Sequence, residues 1–419
     1  MLMKATVSCS QVSGELSAIS SKSMAHRLLI GAAFCDKKTD IRCETTNQDI
    51  LATVDCLTSM GAKIEYKNGT FSVTPIGEKS SEILECNESG TTMRLLLPVV
   101  CALGGSWRFI MKGRLAQRPI SPLKEELESH GITFEYTAQD ELSVNGKLSS
   151  GSYSIRGDVS SQFISGLLFA LSILDGVSTL TVTGRLESAP YIQMTVDALC
   201  SLGADISRDE NIFTVKGKQL KSPKQAYVEG DWSNAAFPLS AAAICGSVTL
   251  KNINPESSQG DIKILDLLKD FGATVIVWEN SVTISHNKLH GININAENIP
   301  DLVPVLAVVA SAADGETIIY GASRLRIKES DRLQTTYDTL STLGADIKLT
   351  NDGFIIKGKQ KLSGGTVSSH NDHRIAMSAA VASCFCENSV TVENAEAVCK
   401  SYTHFWQDFK KLGFNIDTN

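Results

Sequence analysis

The sequence predicts an α/β protein of two domains, in which one unit of helices and strands is repeated six times. The chain has 419 residues, of which 42% are hydrophobic, and this is more than one ordinary core accommodates. A helix end, a glycine and an alternating strand recur along it at intervals of 69 to 72 residues. A further strand-like segment, residues 4–10, precedes the first repeat. These three observations predict two domains of three repeats each.

Composition and charge limit the possible functions. The formal net charge of -7 argues against a nucleic-acid or membrane-surface binder, so an anion site must be a local basic cluster. The eleven cysteines include no Cys-x-x-Cys pair, and Cys384 and Cys386 are interpreted as core residues, which favours reduced thiols in a cytoplasm. The start of the chain lacks the apolar segment of a signal peptide, and the longest apolar run, residues 302–313, is too short to span a bilayer. We therefore expect a soluble, cytoplasmic protein.

Each repeat is predicted to end its outer helix at a glycine in the left-handed conformation, which carries no Cβ penalty. These glycines are Gly61, Gly131, Gly203, Gly272, Gly344 and Gly413. Each repeat also contains a helix that is apolar on nearly every side and should be buried beneath the sheets. The sixth repeat reaches Asn419 before its strands are complete, so residues 4–10 should complete it. The predicted domains are residues 1–20 with 226–419, and residues 21–225.

Polar residues collect where the buried helices begin. Residues 20–27 combine hydroxyls, Lys22 and Arg27 at a helix N-terminus, which suits phosphate or carboxylate. The alternative is a serine cap with both cations in solvent, and His26 is interpreted as a packing residue. At the second start, Gly90 permits close approach of a ligand, and Thr91 could cap the helix.

The remaining starts in the first domain are less specific. Arg118 lies in a loop before a proline, where a plain turn is an equal alternative. Residues 160–162 offer two hydroxyls and an amide that could hold a phosphate or ring hydroxyls, or simply cap a helix. Ser188 and Tyr191 fit packing as well as binding.

The second domain contains a segment with an unusual density of charge, residues 324–332. A helix beginning near Lys328 would place Lys328 and Arg332 on one face with Glu329 beside them, unless all three are merely solvated. Asp301, before an apolar helix, could be an N-cap or a proton acceptor.

The last helix start and the segment after it add two more cations. The two histidines in residues 370–374 lack a third ligand at a comparable spacing, so no metal site is predicted there. Arg374 suits carboxylate or phosphate better. Lys400 alone would pass for a surface lysine.

Taken in order, these motifs resemble one family over the whole chain, that of 5-enolpyruvylshikimate-3-phosphate synthase. The motifs are Ser-Lys-Ser (21–23), Ser-Gly-Thr-Thr-Met-Arg (89–94), Gln-Arg-Pro (117–119), Ser-Ser-Gln-Phe (160–163), Arg-Ile-Lys-Glu-Ser-Asp-Arg (326–332), Asn-Asp-His-Arg (371–374) and Lys-Ser-Tyr (400–402). The resemblance implies the enolpyruvyl transferase fold, with two inside-out α/β domains of three βαβαββ units and an active site in the cleft that closes between them. It also implies transfer of the carboxyvinyl group of phosphoenolpyruvate to the 5-hydroxyl of shikimate-3-phosphate, with release of phosphate.

The resemblance further implies roles for individual residues. Phosphoenolpyruvate would contact Lys22, Gly90, Arg118, Gln162, Arg332, Arg374 and Lys400. Shikimate-3-phosphate would contact Lys22, Ser23, Arg27, Ser160, Ser161, Gln162, Ser188, Tyr191, Asp301 and Lys328. Asp301 resembles the base for the 5-hydroxyl and Glu329 the acid for the vinyl methylene, with Lys22 near the attacking oxygen and the leaving phosphate. Glu88 and Arg324 depart from the family pattern and are assigned no role.

The family needs no cofactor or metal, and we expect a monomer with small-molecule substrates and neither nucleic acid nor membrane as partner. The family is the target of glyphosate. One alternative is UDP-N-acetylglucosamine enolpyruvyl transferase, but residues 112–119 lack the cysteine of its loop, and its first motif is Ser-Lys-Asn. The other alternative, a non-catalytic anion-binding relative, would not need Asp301, Glu329 and Lys22 together.

Overall fold

A computed structural model describes residues 3–419, which form two compact units. The first unit consists of residues 3–19 together with Gly230–Asn419. The second unit is Ser20–Glu229. The divisions predicted from the sequence follow residues 20 and 225. The second division falls later in the structure because residues 225–227 form a strand that pairs in parallel with residues 40–42 of the second unit.

The strands and helices follow one another with short connections. The strands are β1 (Lys4–Ser8), β2 (Val12–Ser17), β3 (Thr39–Arg42), β4 (Lys63–Lys67), β5 (Thr70–Thr74), β6 (Ile83–Asn87), β7 (Gly105–Met111), β8 (Thr133–Ala138), β9 (Glu141–Gly146), β10 (Ser152–Arg156), β11 (Val177–Thr183), β12 (Asp205–Asp209), β13 (Ile212–Lys216), β14 (Gln225–Tyr227), β15 (Gly246–Lys251), β16 (Thr274–Trp278), β17 (Ser281–Ser285), β18 (Asn293–Asn295), β19 (Glu316–Tyr320), β20 (Asp346–Leu349), β21 (Phe354–Lys357), β22 (Gly365–Ser368), β23 (Val390–Glu393) and β24 (Asn415–Thr418). The helices are α1 (Lys22–Ala32), α2 (Gln48–Ser59), α3 (Gly90–Leu103), α4 (Leu123–Ser129), α5 (Ser161–Ile173), α6 (Ala189–Ser201), α7 (Trp232–Cys245), α8 (Ile264–Phe271), α9 (Val303–Ala312), α10 (Arg332–Thr342), α11 (His373–Ala382) and α12 (Phe405–Lys411).

The predicted six-repeat α/β fold is confirmed, because each repeat contributes one sheet of the same form. In the second repeat the order β6-α3-β7-α4-β8-β9 gives a sheet with the strand order β6-β7-β9-β8. Its first two strands are parallel, and β9 pairs antiparallel with both β7 and β8. The other five four-stranded sheets repeat this arrangement. The sixth takes its last strand from the start of the chain, since β1 lies between β23 and β24.

The helices that follow the first strand of each repeat are buried, as their uniformly apolar sequences predict. In α5 every residue from Phe163 to Ser172 is buried, and in α9 every residue from Val303 to Ser311. A Cβ added to Gly166 of α5 would lie 2.6 Å from the carbonyl oxygen of Arg94 in α3, so glycine here allows the two helices to approach closely. Each unit has its own hydrophobic core.

The glycine that ends each outer helix has the predicted left-handed conformation. The φ angles are 108° at Gly61, 85° at Gly131, 82° at Gly203, 111° at Gly272, 94° at Gly344 and 100° at Gly413. This conformation turns the chain from helix into strand at a cost that only glycine avoids. Among residues 3–419, no helix combines the length and the apolar character that crossing a bilayer requires.

Candidate active site

Lys22 is the first residue of α1, and its side chain is held by the protein. Ser21 caps the helix by accepting a hydrogen bond from the backbone N–H of Met24 at 3.4 Å. The Nζ atom of Lys22 lies 2.9 Å from Oδ2 of Asp49, and both side chains are only 12% exposed. The alternative that left Lys22 in solvent is therefore wrong, because the ion pair fixes its ammonium group beside the helix N-terminus.

A buried chain of hydroxyl groups joins the starts of α1, α2 and α3. Nδ1 of His26 lies 2.7 Å from Oγ1 of Thr53, which lies 2.7 Å from Oγ1 of Thr92. Thr92 in turn donates to Oγ of Ser89, the residue that caps α3. Burial, with the charges of Lys22 and Arg27, holds the pKa of His26 well below its usual value. His26 is thus a neutral packing residue, as predicted from the sequence.

Arg27 is buried, with only 2% of its surface exposed, so the solvent alternative is wrong for this residue also. Its Nε donates to Oγ1 of Thr195 at 2.8 Å, and its two terminal nitrogens donate to the carbonyl oxygens of Ser23 and Tyr191. Burial lowers the pKa of Arg27 to about 10. These bonds fasten α1 to the first turns of α6, where Ser188 precedes the helix with a φ angle of 54°.

Gly90 and Arg118 lie against each other at the start of α3. A Cβ added to Gly90 would lie 2.3 Å from Nη1 of Arg118, so glycine leaves the space that the guanidinium occupies. Gln162 donates from Nε2 to Oγ1 of Thr91 at 2.9 Å, and Arg94 donates to Oε1 of the same glutamine at 3.1 Å. Both ends of the Gln162 amide are therefore oriented by α3.

The other polar residues of this region cap α5. Ser160 is the N-cap and accepts a hydrogen bond from the backbone N–H of Gln162, and Ser161 is the first residue of the helix. We call the predicted residues of this unit the Lys22 cluster. They are Lys22, Ser23, Arg27, Gly90, Arg118, Ser160, Ser161, Gln162, Ser188 and Tyr191.

In the other unit, the charged segment does not begin a helix at Lys328. Residues 323–327 form a short 3-10 helix, Lys328 is extended, and α10 begins only at Arg332. The reason is Asp331, whose side chain caps α10 by accepting from the backbone N–H of Gln334 at 3.1 Å. The prediction that Lys328 and Arg332 share a helix face is therefore wrong.

Arg332 joins three carboxylates while being only 1% exposed. Its Nε lies 2.8 Å from Oδ2 of Asp372, its Nη1 lies 2.8 Å from Oδ1 of Asp301, and its Nη2 lies 2.7 Å from Oε2 of Glu329. Burial alone would lower the pKa of Arg332, but the three carboxylates together hold it above its usual value. The guanidinium is thus permanently charged and fixes the direction of each carboxylate.

Asp301 lies in a short 3-10 helix before α9, and the N-cap position of α9 is Leu302, so the N-cap interpretation is wrong. Its Oδ2 lies 2.9 Å from Nη2 of Arg374, and Nζ of Lys328 lies 3.6 Å from its Oδ1. Burial alone would raise the pKa of Asp301, but the charges of Arg374, Lys328 and Arg332 hold it well below its usual range.

Lys328 and Lys400 complete this group. Burial, with the charge of Arg332, lowers the pKa of Lys328 to about 8 against the opposing effect of Asp301. Lys400 is buried and donates from Nζ to the carbonyl oxygen of Asn371 at 2.7 Å, so it is not a surface lysine. We call this group the Arg332 cluster. It consists of Asp301, Lys328, Glu329, Arg332, Asp372, Arg374 and Lys400.

Three residues that organise the clusters were not assigned a role from the sequence. Asp49 pairs with Lys22, Arg94 orients Gln162, and Asp372 pairs with Arg332. Asp372 also caps α11 by accepting from the backbone N–H of Arg374 at 2.9 Å. An aspartate directly before a buried helix is the sequence feature that could have identified it. Asp49 and Arg94 lie within helices, and no comparable sequence feature identifies them.

Both clusters have the chemical character of sites for multiply charged anions. Cations stand beside helix N-termini, where backbone N–H groups add positive potential. Guanidinium groups form paired hydrogen bonds to carboxylate and phosphate. The carboxylates of Asp301 and Glu329 both form ion pairs with Arg332 and can donate or accept protons.

Comparison with known proteins identifies the relatives of this arrangement. The model of the family described as EPSP synthase (3-phosphoshikimate 1-carboxyvinyltransferase) matches residues 7–409. A 3-phosphoshikimate 1-carboxyvinyltransferase of Clostridium novyi is 40% identical over 422 residues, covering 97% of each chain.

Solved structures show the same fold. The EPSP synthase of Acinetobacter baumannii has a TM-score of 0.82 and 26% identity, with 100% of both chains covered. The enolpyruvyl transferase NikO of Streptomyces tendae has a TM-score of 0.80 at 18% identity, covering 100% of this chain and 98% of that chain. The second likeness concerns the fold alone.

Proposed function

Because the chain belongs to the EPSP synthase family, we propose that the Lys22 cluster and the Arg332 cluster bind the two substrates of that family's reaction. The protein transfers the carboxyvinyl group of phosphoenolpyruvate to shikimate-3-phosphate in the shikimate pathway, which leads to the aromatic amino acids. The observation that carries the site proposal is the Arg332 cluster, where three cations surround the partly buried carboxylate of Asp301 beside the starts of α9, α10 and α11.

Phosphoenolpyruvate carries a carboxylate and a phosphate, and both need cations in a site that excludes water. We assign them to Lys22, Gly90, Arg118, Gln162, Arg332, Arg374 and Lys400. The support is that the cations are held in place before any substrate arrives, by Asp49 for Lys22 and by Asp301 and Asp372 for the arginines. A site that is already ordered loses less entropy when it binds.

Shikimate-3-phosphate carries ring hydroxyls, a carboxylate and a phosphate. We assign it to Lys22, Ser23, Arg27, Ser160, Ser161, Gln162, Ser188, Tyr191, Asp301 and Lys328. Hydroxyl groups at the start of α5 suit the phosphate and the ring hydroxyls. Three of the five N–H donors of Arg27 bind protein oxygens, so the others can serve an anion at the start of α1.

Proton transfer is assigned to Asp301 and Glu329. The 5-hydroxyl gives its proton to Asp301 as its oxygen bonds to C2 of phosphoenolpyruvate, and Glu329 gives a proton to C3, which produces a tetrahedral intermediate. Glu329 then takes a proton back from the new methyl group as the C2–O bond breaks and its electron pair leaves with the phosphate, with Lys22 beside the departing phosphate. These roles come from the family resemblance, and the support from geometry is that both carboxylates contact Arg332.

Asp301 is a weak proton acceptor while Arg332 and Arg374 hold it, because its pKa is well below the usual range. An anionic substrate competes for the same two guanidinium groups. When Arg374 turns toward the substrate, Asp301 loses a cation and its pKa rises, which makes it a better base. Substrate binding would in this way prepare the base for its task.

The proposal is tested by phosphate release from phosphoenolpyruvate with either of two acceptors, without added metal. We expect release with shikimate-3-phosphate and none with UDP-N-acetylglucosamine, with the carboxyvinyl product identified by its mass. Release with the nucleotide sugar would overturn the acceptor, and release with neither would favour the non-catalytic alternative. We further propose that the enzyme is a cytoplasmic monomer that needs no cofactor for this reaction.

A further inference from the structure

Three cysteines from distant parts of the sequence meet in the unit that contains the Arg332 cluster. Cys9 follows β1, Cys245 is the last residue of α7, and Cys384 lies in a 3-10 turn after α11. Their Sγ atoms all lie within 4.8 Å of one another. Among residues 3–419 no other group of three or more cysteine, histidine or acidic side chains has metal-binding geometry. From the sequence, Cys384 is expected to be a core residue and no metal is predicted.

We propose that Cys9, Cys245 and Cys384 form a binding site for one divalent thiophilic metal ion of the zinc class. Thiolate sulfur is the ligand that selects such ions over magnesium or calcium. A zinc–sulfur bond of about 2.3 Å places the sulfurs of a tetrahedral or trigonal site about 3.8–4.0 Å apart. The observed separations need to shorten by no more than about 1 Å, which side-chain rotation can provide.

The burial of the three residues fits a site with one open position. Cys384 is 7% exposed, whereas Cys9 and Cys245 are partly exposed. An ion on the three sulfurs would therefore be bound by one buried residue and two that retain contact with solvent. Three protein ligands and one water complete the four-coordinate arrangement that zinc adopts.

Charge favours a divalent ion over a monovalent one. Three thiolates with a divalent ion leave a net charge of about -1, and with a monovalent ion about -2, which is harder to bury. The carboxyl ends of α7 and α11 both point to this place, and a helix C-terminus favours a cation. The ion displaces the protons of the thiols that bind it.

The ion would stabilise the fold and take no part in the reaction. Arg374 is at the first turn of α11 and Cys384 lies beyond its last residue, Ala382, so the helix separates them by about 15 Å. The three ligands tie the first strand of the chain to the ends of two buried helices. Because the unfolded chain holds no such group of sulfurs, binding adds to the stability of the folded unit.

The site is tested with cadmium ion, which has zinc-like coordination and gives an ultraviolet thiolate-to-metal absorption band. The reduced full-length protein is freed of metal and titrated, and its eleven cysteines are mapped by alkylation and mass spectrometry with and without the ion. We expect one ion per chain, protection of Cys9, Cys245 and Cys384 alone, and a higher melting temperature. The mapping uses the unaltered protein, so it does not depend on any variant folding.

Single serine variants provide the second test. Cys9→Ser and Cys245→Ser should each weaken cadmium binding by at least about tenfold. Removing only a hydrogen-bond partner of a metal ligand already lowers metal affinity by about this factor, and these variants remove the ligand itself. Cys386→Ser is the matched control, since that cysteine lies two residues from Cys384 but its sulfur bonds to the carbonyl oxygen of Ala382. Equal affinity in all variants would overturn the proposal. The proposal would also fail if, in the fully reduced wild-type protein, cadmium ion left the alkylation of all three thiols unchanged.

Discussion

Lys328 is a residue of the Arg332 cluster whose charge changes near neutral pH. Burial lowers its pKa to about 8, so the ammonium form is present below that pH and is lost above it. If this charge helps to bind an anionic substrate, kcat/KM for shikimate-3-phosphate should fall as the pH rises through about 8, since kcat/KM reports the free enzyme.

The Lys328→Arg variant should move this fall to a higher pH, because a guanidinium keeps its charge. The measurement is the pH profile of kcat/KM for both enzymes. Lys348→Arg, at an exposed position on β20 of the same unit, is the control and should leave the profile unchanged. A fall at the same pH in Lys328→Arg would show that another group is responsible.

Lys22 is predicted to act in the reaction more than in the fold. Lys22→Met should lower kcat at least a hundredfold, the loss seen when an electrostatic contact to the transition state is removed. The protein should remain folded, with a loss of about 1–3 kcal/mol because Asp49 keeps its charge without this partner. Turnover and thermal unfolding measure the two effects. Lys38→Met removes an exposed lysine, 3.2 Å from Asp40, and should change neither; near-normal turnover in Lys22→Met would contradict the assignment.

Glu329 is predicted to be the acid that protonates the vinyl methylene. Glu329→Gln keeps the shape and one acceptor for Arg332 but removes the proton, so kcat should fall about 10²–10⁴-fold with smaller changes in KM. Steady-state kinetics with both substrates measure this, and Glu393→Gln at an exposed pair with Lys4 is the control. An effect on KM alone would exclude Glu329 as the acid.

At the scale of elements, the Arg332 cluster joins the starts of three helices. Arg332 opens α10, Asp372 caps α11 and is fully buried, and Asp301 precedes α9. A buried charge that loses its partner destabilises the folded protein. Arg332 therefore stabilises the packing of these helices as well as the site.

Arg332→Met should therefore lower the free energy of unfolding by about 3–5 kcal/mol, since Asp372 loses its counter-ion. Denaturant unfolding gives the value. Arg326→Met is the matched control, because its ion pair with Asp331 is about a third exposed and should contribute at most about 1 kcal/mol. Equal losses of unfolding free energy in the two variants would mean that the buried ion pairs of Arg332 stabilise the protein no more than the partly exposed pair of Arg326.

The elements themselves were largely predictable, and the ion pairs were not. Gly344 and the five equivalent glycines mark helix ends by a local rule, which the sequence displays directly. The partner of Lys22 is Asp49, on another helix, and the partner of Arg332 is Asp372, 40 residues later. Such pairs depend on how helices pack. The helix predicted near Lys328 begins at Arg332 because Asp331 caps it.

At the scale of the molecule, the two units have the same construction. Each has three sheets around buried helices, and each collects cations at the starts of those helices. In a protein with a net charge of -7, an anion site must be a local basic cluster, and these two clusters are such regions. We propose that phosphoenolpyruvate depends on both, through Arg118 in one unit and Arg374 in the other.

The most direct test is the equilibrium binding of phosphoenolpyruvate, with shikimate-3-phosphate present, to wild type and to Arg118→Met and Arg374→Met. Each loss of a charged hydrogen-bonding partner should weaken binding at least about tenfold, provided that thermal unfolding shows each variant to be folded. Arg156→Met removes an exposed arginine paired with Asp158 and should bind like wild type. If either Arg118→Met or Arg374→Met, folded, keeps the full affinity, the two clusters do not share this substrate and the account fails.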